Sequence, residues 1–367
     1  MNEVVIIGDT THNTLSAVRS LGVAHIPFTL ILKGNDEACN VSKSKYVRRN
    51  RLFRISDIEE CAPLLELLSG GTIICTFDEA AEWIDRHEPE LSKKFITPCR
   101  GKQIGTLFNK AEQCRLAEEC GLTVPKSQLY RRGEDMDKID IPYPIILKPL
   151  QSTQGEKSDI HIAHNYTELK TALASQSECS EFILQEFIDK EYELNCLSCR
   201  TNKETIIAGA IQKIRHYPLV TGACSFGHFQ SIDQFGIDSA ALNRFLEKSN
   251  YHGPFSAEFL HTKNGKNYFM EVNFRNDGLA QTATAAGANL HALYVDSQRN
   301  YDARKVHPIY MMNYSIDYLH VKEGRTSHRI WWRDFLRTRC FINFSFSDPM
   351  PVLTYYLTKL KKVLFRR

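Results

Sequence analysis

Wholly apolar runs and helical-period runs alternate along the first hundred residues. Residues 4–7 are Val-Val-Ile-Ile, the pattern of a strand buried on both faces. Gly8 ends the run. Leu15, Val18 and Leu21 then recur about once per helical turn, so residues 10–21 read as a helix, with Gly22 placed to stop it. Residues 28–32 and 71–75 read as further buried strands. This β-α-β opening predicts an open, mostly parallel α/β sheet over roughly residues 1–97.

Beyond residue 97 the pattern changes. Asn109 is a good N-cap, and Glu112 three positions on completes a capping box, so a helix is expected up to Gly121. Residues 144–149 form a strand with Lys148 near its end. A polar loop, residues 151–158, follows and contains Ser152 and Gly155. Further strands are expected at 160–163, 182–188, 191–198, 205–214, 256–260 and 268–273. Helices are expected at 167–175 and 239–249. Many strands with few helices mark an α+β region. No repeat of solenoid period is visible.

The 367 residues are 43% hydrophobic and 24% charged, which fits two or three globular domains and excludes a disordered or coiled-coil chain. No uncharged apolar stretch reaches the ~18–20 residues of a membrane span. The acidic start, Met-Asn-Glu, lacks a basic leader, so a cytoplasmic protein is expected. Eleven cysteines are scattered along the chain. Cys196 and Cys199 alone have CxxC spacing, and a strand would point them to opposite faces, so free thiols are expected rather than a zinc site. Residues 321–367 carry a net charge of +8, which leaves the remaining 320 residues at −5. That mildly acidic body argues against nucleic acid as the partner. The first turn, Gly8-Asp9-Thr10-Thr11-His12-Asn13, has one glycine, which excludes a dinucleotide fingerprint there.

The chemistry-bearing residues occur in a fixed order. Lys110 opens a helix and Lys148 ends a strand before the polar loop. Glu186 and Glu191 follow a third strand. Glu258 and the run Glu271-Val272-Asn273-Phe274-Arg275 come last. Two ammonium groups offset polyphosphate charge, and a polar loop offers backbone N–H groups to phosphate oxygens. Carboxylates suit magnesium, which takes one or two of them with phosphates and water. Glu271, Asn273 and Arg275 share one strand face. An arginine beside such a metal can stabilise a transferring phosphoryl group. Lys213, Arg215, His216, Asn276 and Asp277 are candidates for the substrate side. Lys213 or Arg215 suits a carboxylate and Asp277 an ammonium. For His216, an ordinary strand hydrogen bond outweighs a proton shuttle.

This order resembles the ATP-grasp ligases, over most of residues 1–300. The resemblance implies a Rossmann-like domain at 1–97, an ATP-grasp subdomain with the phosphate loop at 98–182, a second with the metal site at 183–305, and an extension at 306–367. It implies ATP and magnesium or manganese as cofactors. Glu258, Glu271 and Asn273 would hold the metal, and Arg275 and Lys213 would act in catalysis. Lys110, Lys148, Ser152 and Gly155 would bind phosphates. Gln185, Glu186, Phe187 and Ile188 would form the adenine-binding hinge. Glu191, or Glu193, would meet the ribose, because the hinge is one residue short and lacks the usual glycine. Arg19-Ser20-Leu21-Gly22, Ser44-Lys45-Tyr46-Val47 and residues 217–222 resemble the carbamoyl-phosphate-synthetase-like branch that includes D-aspartate ligase. That branch phosphorylates a carboxylate and passes the acyl group to an amine. The alternatives are a carboxyphosphate-forming relative and a degenerate nucleotide-binding scaffold. Small carboxylate and amine substrates are expected, and the family admits a homodimer.

Residues 330–367 read as lying outside this core. Leu353, Tyr356, Leu357, Leu360 and Leu364 fall on one helical face near Lys359, Lys361, Lys362, Arg366 and Arg367. Such a basic amphipathic helix suits the inner face of an anionic membrane or a docking site on its own chain. Similar tails in the family point to a cell-surface glycan precursor as substrate.

Overall fold

A computed structural model describes residues 3–35, 39–101, 104–149, 160–176, 180–219, 222–296 and 298–364, without the side chains of Pro149 and 361–364. The expected phosphate loop, with Ser152 and Gly155, lies outside the described residues, as do Arg366 and Arg367.

The first sheet contains β1 (Glu3–Gly8), β2 (Phe28–Lys33), β3 (Leu52–Ile55), β4 (Gly71–Cys75) and β5 (Phe95–Ile96). Its order is β3-β2-β1-β4-β5 and every pairing is parallel. Both faces are covered, which explains the unbroken apolar runs. Val4 and Ile6 pack with Leu15, Val18 and Leu21 of the helix His12–Val23, while Val5 and Ile7 pack with Trp83 and Ile84 of the helix Asp78–Leu91. Gly22 lies inside its helix rather than after it. A Cβ there would stand 2.2 Å from the Tyr46 ring, so the glycine admits an aromatic side chain rather than ending the helix.

An antiparallel four-stranded sheet follows: β6 (Ser127–Arg131), β7 (Ile145–Pro149), β8 (His161–Ala163) and β9 (Glu181–Glu186), in the order β6-β9-β7-β8. Only residues 187–189 separate β9 from the next strand. The largest sheet holds β10 (Lys190–Arg200), β11 (Thr205–Tyr217), β12 (Ala223–Gln230), β13 (Gly253–Thr262), β14 (Asn267–Asn273), β15 (Ile309–Met312) and β16 (Thr338–Phe341), in the order β14-β13-β10-β11-β12-β15-β16. Cys196 and Cys199 of β10 enter different apolar clusters, as strand alternation requires, and burial pushes both thiols up. Neither is a metal ligand or a reactive thiol in this setting.

The segment from 330 onward is joined to the core, contrary to the reading from sequence. β16 pairs in parallel with β15 at the sheet edge. Beyond it, Asp348 is fully buried in a socket on the first domain. Its carboxylate accepts from Arg19 Nε at 3.0 Å, Ser44 Oγ at 2.9 Å and Lys45 N at 2.9 Å. Arg19 also donates to Gln281 and to the carbonyls of Ile342, Asn343 and Asp348. The short motifs around Arg19 and Ser44 are therefore the two walls of one ion-pair socket. Breaking a buried pair leaves the other charge without its partner, so Asp348→Ala is expected to lower unfolding free energy by roughly 3 kcal/mol. Urea denaturation of the full chain measures this.

Candidate active site

Four adjacent strands present polar residues to one face of the large sheet. The register sets Lys213 of β11 beside Glu193 of β10, Asn195 beside Glu258 of β13, and Glu258 beside Glu271 of β14. Ser256 and Asn273 form the next pair along. Like charges directly opposite on neighbouring strands repel, so Glu258 and Glu271 need cations nearby. Lys213 Nζ lies 2.9 Å from both Glu258 and Glu193. Lys110 Nζ stands 3.9 Å from Glu271. Lys110 is held there because its helix, Lys110–Glu119, is clamped to β14. The buried Gln113 amide donates to the Val272 carbonyl at 3.2 Å and accepts from the Val272 N–H. Asn109 caps this helix by accepting from Ala111 and Glu112, whereas the Glu112 carboxylate turns to Arg115.

The network continues across Asn273 to the first domain. Asn273 Nδ2 donates to Ser256 Oγ at 3.2 Å, and its Oδ1 accepts from Arg275 at 3.1 Å. Arg275 Nε reaches Asp78 at 3.0 Å, at the start of the helix after β4. Asp277 accepts from Ser256 Oγ at 2.8 Å and Asn195 Nδ2 at 3.2 Å. On the four-stranded sheet, Lys148 Nζ donates to the buried Gln185 Oε1 at 2.7 Å.

Charge follows from these placements. Burial pulls Lys148 down, the neighbouring Lys110 adds to the effect, and Glu271 opposes it, leaving the ammonium near 8. Burial alone would raise Glu193, but Lys213 and Lys190 outweigh it and hold the carboxyl at about 2. Burial would likewise lower Lys213, yet Glu258 and Glu193 together raise it, so it stays charged. Among the described residues no three His, Cys, Asp or Glu side chains cluster as a complete metal cage. Two opposed carboxylates with Asn273 beside them fit magnesium only if phosphate or water completes the shell, which is its usual mode.

Not every residue singled out from sequence sits in this cluster. Lys110, Lys148, Gln185, Lys213, Glu258, Glu271, Asn273, Arg275 and Asp277 are brought to it. Arg215 is not. The ladder slips on both sides of Arg215, so it leaves the face of Lys213 and pairs with buried Asp317 and Asp334 at 2.8 and 2.7 Å. Those contacts occupy the guanidinium and remove it as a substrate ligand. His216 closes a local turn on the Leu219 carbonyl. Asn276 is fully buried and joins backbone segments instead of facing a substrate. Glu191 is exposed at a slip between β10 and β13, and Glu193 is the acid that enters the cluster. Glu186 accepts from Lys126 N, Phe187 is partly exposed, and Ile188 is buried in the link between β9 and β10. Sequence reasoning passed over Ser256 and Asn195, although strand period two places them beside Glu258 and Glu193. It had no signal for Asp78, which lies 197 positions from Arg275.

With that architecture, the chain has the ATP-grasp fold. It aligns with N5-carboxyaminoimidazole synthetase from Staphylococcus aureus, solved with ADP, at a TM-score of 0.66 and 16% identity, over 88% of this chain and 86% of that one. L-amino acid ligase from Bacillus licheniformis aligns at 0.58 and 14% identity, over 80% of this chain and 73% of its own. In sequence the chain is 24% identical to formate-dependent phosphoribosylglycinamide formyltransferase of Methanocella arvoryzae over 200 residues, 49% of this chain and 46% of that protein. The chain thus spans less than half the length of this curated relative. No protein-family model matches it.

Lys148 is charged below about 8 and largely neutral above, and an anion is attracted to the charged form. If this ammonium meets nucleotide phosphate, ADP affinity read by calorimetry falls as pH rises through that value. Lys148→Arg, which keeps its charge, should flatten this decline.

Proposed function

We propose that this protein is an ATP-dependent ligase that activates a carboxylate as an acyl phosphate and joins it to an amine. The observation that carries the reading is the shared strand face where opposed Glu258 and Glu271 meet Lys110, Lys213, Asn273 and Arg275. Lys110 and Lys148 orient the ATP phosphates, and the link from Gln185 to Ile188 receives the adenine. Glu258, Glu271 and Asn273 would hold magnesium, which when bound supplies positive charge beside the phosphates. A carboxylate oxygen of the substrate attacks the γ-phosphorus, and ADP leaves. Arg275, fixed by Asp78 and Asn273, stabilises charge on the transferring group. The amine then attacks the acyl carbon and inorganic phosphate departs. Amino acids and glycan precursors belong among the acids and amines to be tried. The carboxylating structural neighbours favour bicarbonate as the alternative acid.

The test is phosphate release from ATP and magnesium with pooled carboxylates, bicarbonate and amines. Release that needs both an acid and an amine supports the ligase. Glu271→Ala should cut it by at least about a hundredfold, the upper end of the cost of losing an outer-shell partner, with unfolding unchanged. Wild-type rates in Glu271→Ala would overturn the metal assignment.

The helix Met350–Leu364 supports a second part of this reading, a peripheral contact with an anionic membrane. Its Leu353, Leu357 and Leu360 are about half exposed, and Leu336 and Phe346 in the preceding segment are 76% and 86% exposed. Exposed Arg329, Arg339 and Lys359 supply matching positive charge. No described helix is long and apolar enough to cross a bilayer. Co-sedimentation with phosphatidylglycerol vesicles, but not phosphatidylcholine vesicles, is expected, and its loss in Leu353→Ser/Leu357→Ser is the check.

A further inference from the structure

The first sheet reverses direction at β1. The chain winds outward to β2 and β3, then returns to β4 on the other side of β1. In open α/β sheets a ligand crevice lies outside the carboxyl ends of the strands at such a switch point. Here the two turns are bridged by Thr14 Oγ1 and Thr76 Oγ1 at 2.6 Å. The loop after β14 docks against them. Asn276 N donates to the Cys75 carbonyl at 2.9 Å, and Gly278 N donates to Asn13 Oδ1 at 2.8 Å. The docking brings Asp277, at the edge of the phosphate-transfer cluster, towards the β1 turn that carries Asp9 and His12.

This turn has no role in the ATP chemistry, yet it holds an imidazole in an unusual setting. His12 Nδ1 lies 3.1 Å from Cys39 Sγ. Among the described cysteines, Cys39 alone is half-buried, the others being buried. Burial lowers His12, while Asp9 and Asp277 pull the other way without reversing the shift, so the ring is neutral near pH 7. Asp9 accepts from the Thr11 N–H and the Thr11 and Thr14 hydroxyls. Asp277 accepts from Ser256, Asn195 and the Leu279 N–H. None of these donors is charged, and both carboxylates act on the His12 ring, so the crevice has two acidic groups to meet a cation.

We propose that this crevice receives the amine substrate as an ammonium ion, that His12 accepts its first proton, and that Cys39 is a positioning residue for the imidazole. The assignment rests on the ligase reading above. With Nδ1–H donating to Cys39 Sγ, the Nε2 lone pair is the acceptor. The proton passes from the ammonium to Nε2. The freed nitrogen pair forms the C–N bond at the acyl carbon, and the C–O bond to phosphate breaks. The nitrogen's second proton leaves with hydrogen phosphate, and His12 returns its own to water.

Hydroxylamine separates the two halves of the reaction. It is largely uncharged near neutral pH, so it captures an acyl phosphate as a hydroxamate without a proton acceptor. Full-length wild type, His12→Gln, Cys39→Ser and Cys39→Ala are compared with ATP, magnesium and the active acid pool, using either hydroxylamine or the amine pool. His12→Gln is expected to form hydroxamate within twofold of wild type and to lose amine-dependent product by about a hundredfold, as loss of a general base does. Cys39→Ser, whose oxygen still accepts from Nδ1–H, should keep the amine rate, and Cys39→Ala should lose it with hydroxamate intact. An unchanged amine rate in His12→Gln overturns the assignment. So does a parallel loss of hydroxamate, which would mean a damaged fold. Absence of hydroxamate from wild type overturns the ligase reading itself, and the amine subsite with it.

Discussion

The buried amide of Asn276 sets the relation between the two halves of the site. Its backbone N–H meets the Cys75 carbonyl, its Nδ2 meets the Asn13 carbonyl at 2.6 Å, and its Oδ1 accepts from His291 Nε2 at 2.8 Å. Burial holds His291 down at about 3, so that ring is a neutral donor. Its N–H, Nδ2 and Oδ1 are each committed to a segment from a different part of the chain. Its neighbours inherit their directions from it. Arg275 turns to Asp78 and Asn273, and Asp277 turns to Ser256 and Asn195. A residue that looks like a substrate ligand by position is instead what fixes the ligands beside it.

The cluster also shows how two opposed carboxylates are accommodated on one sheet face. Opposed carboxylates on adjacent strands would push apart, so each has a lysine from another element. Lys213 serves Glu258 from within the same sheet, and Lys110 serves Glu271 from a packed helix. The 3.9 Å pair is looser than the 2.9 Å one. Lys110, on the helix, is therefore held less tightly than Lys213, within the sheet. The β9–β10 link lets the four-stranded sheet bring Lys148 to the same place while keeping its own core.

Much of this was legible in the chain because it depends on local periodicity. The β1 and β2 runs, the helix between them and the Asn109 cap are short-range features, and they stand close to where the pattern puts them, although that helix runs on through Gly22 to Val23. The run from Glu271 to Arg275 was readable for the same reason, since strand period two aligns its members. Three kinds of feature were hidden. Arg215 departs because ladder slips flank it, and a slip leaves no mark in residue type. β6, β12 and β16 carry mixed polar and apolar residues and gain their place from neighbours in the sheet. Asp78 and Asp348 meet partners 197 and 329 positions away, where spacing has no meaning. The expected phosphate loop, residues 151–158, lies outside the described residues.

The Asp348 socket has a consequence for how the protein is made. Arg19 and Asp348 are 329 positions apart. A ribosome that has released the whole first sheet has still to synthesise most of the chain before the partner of Arg19 exists. Until then the guanidinium must remain hydrated, and the helix that carries it cannot settle fully on the sheet. Contacts of such long separation form slowly, because the loop between them must first be closed. The domain that emerges first is thus among the last to be completed during translation.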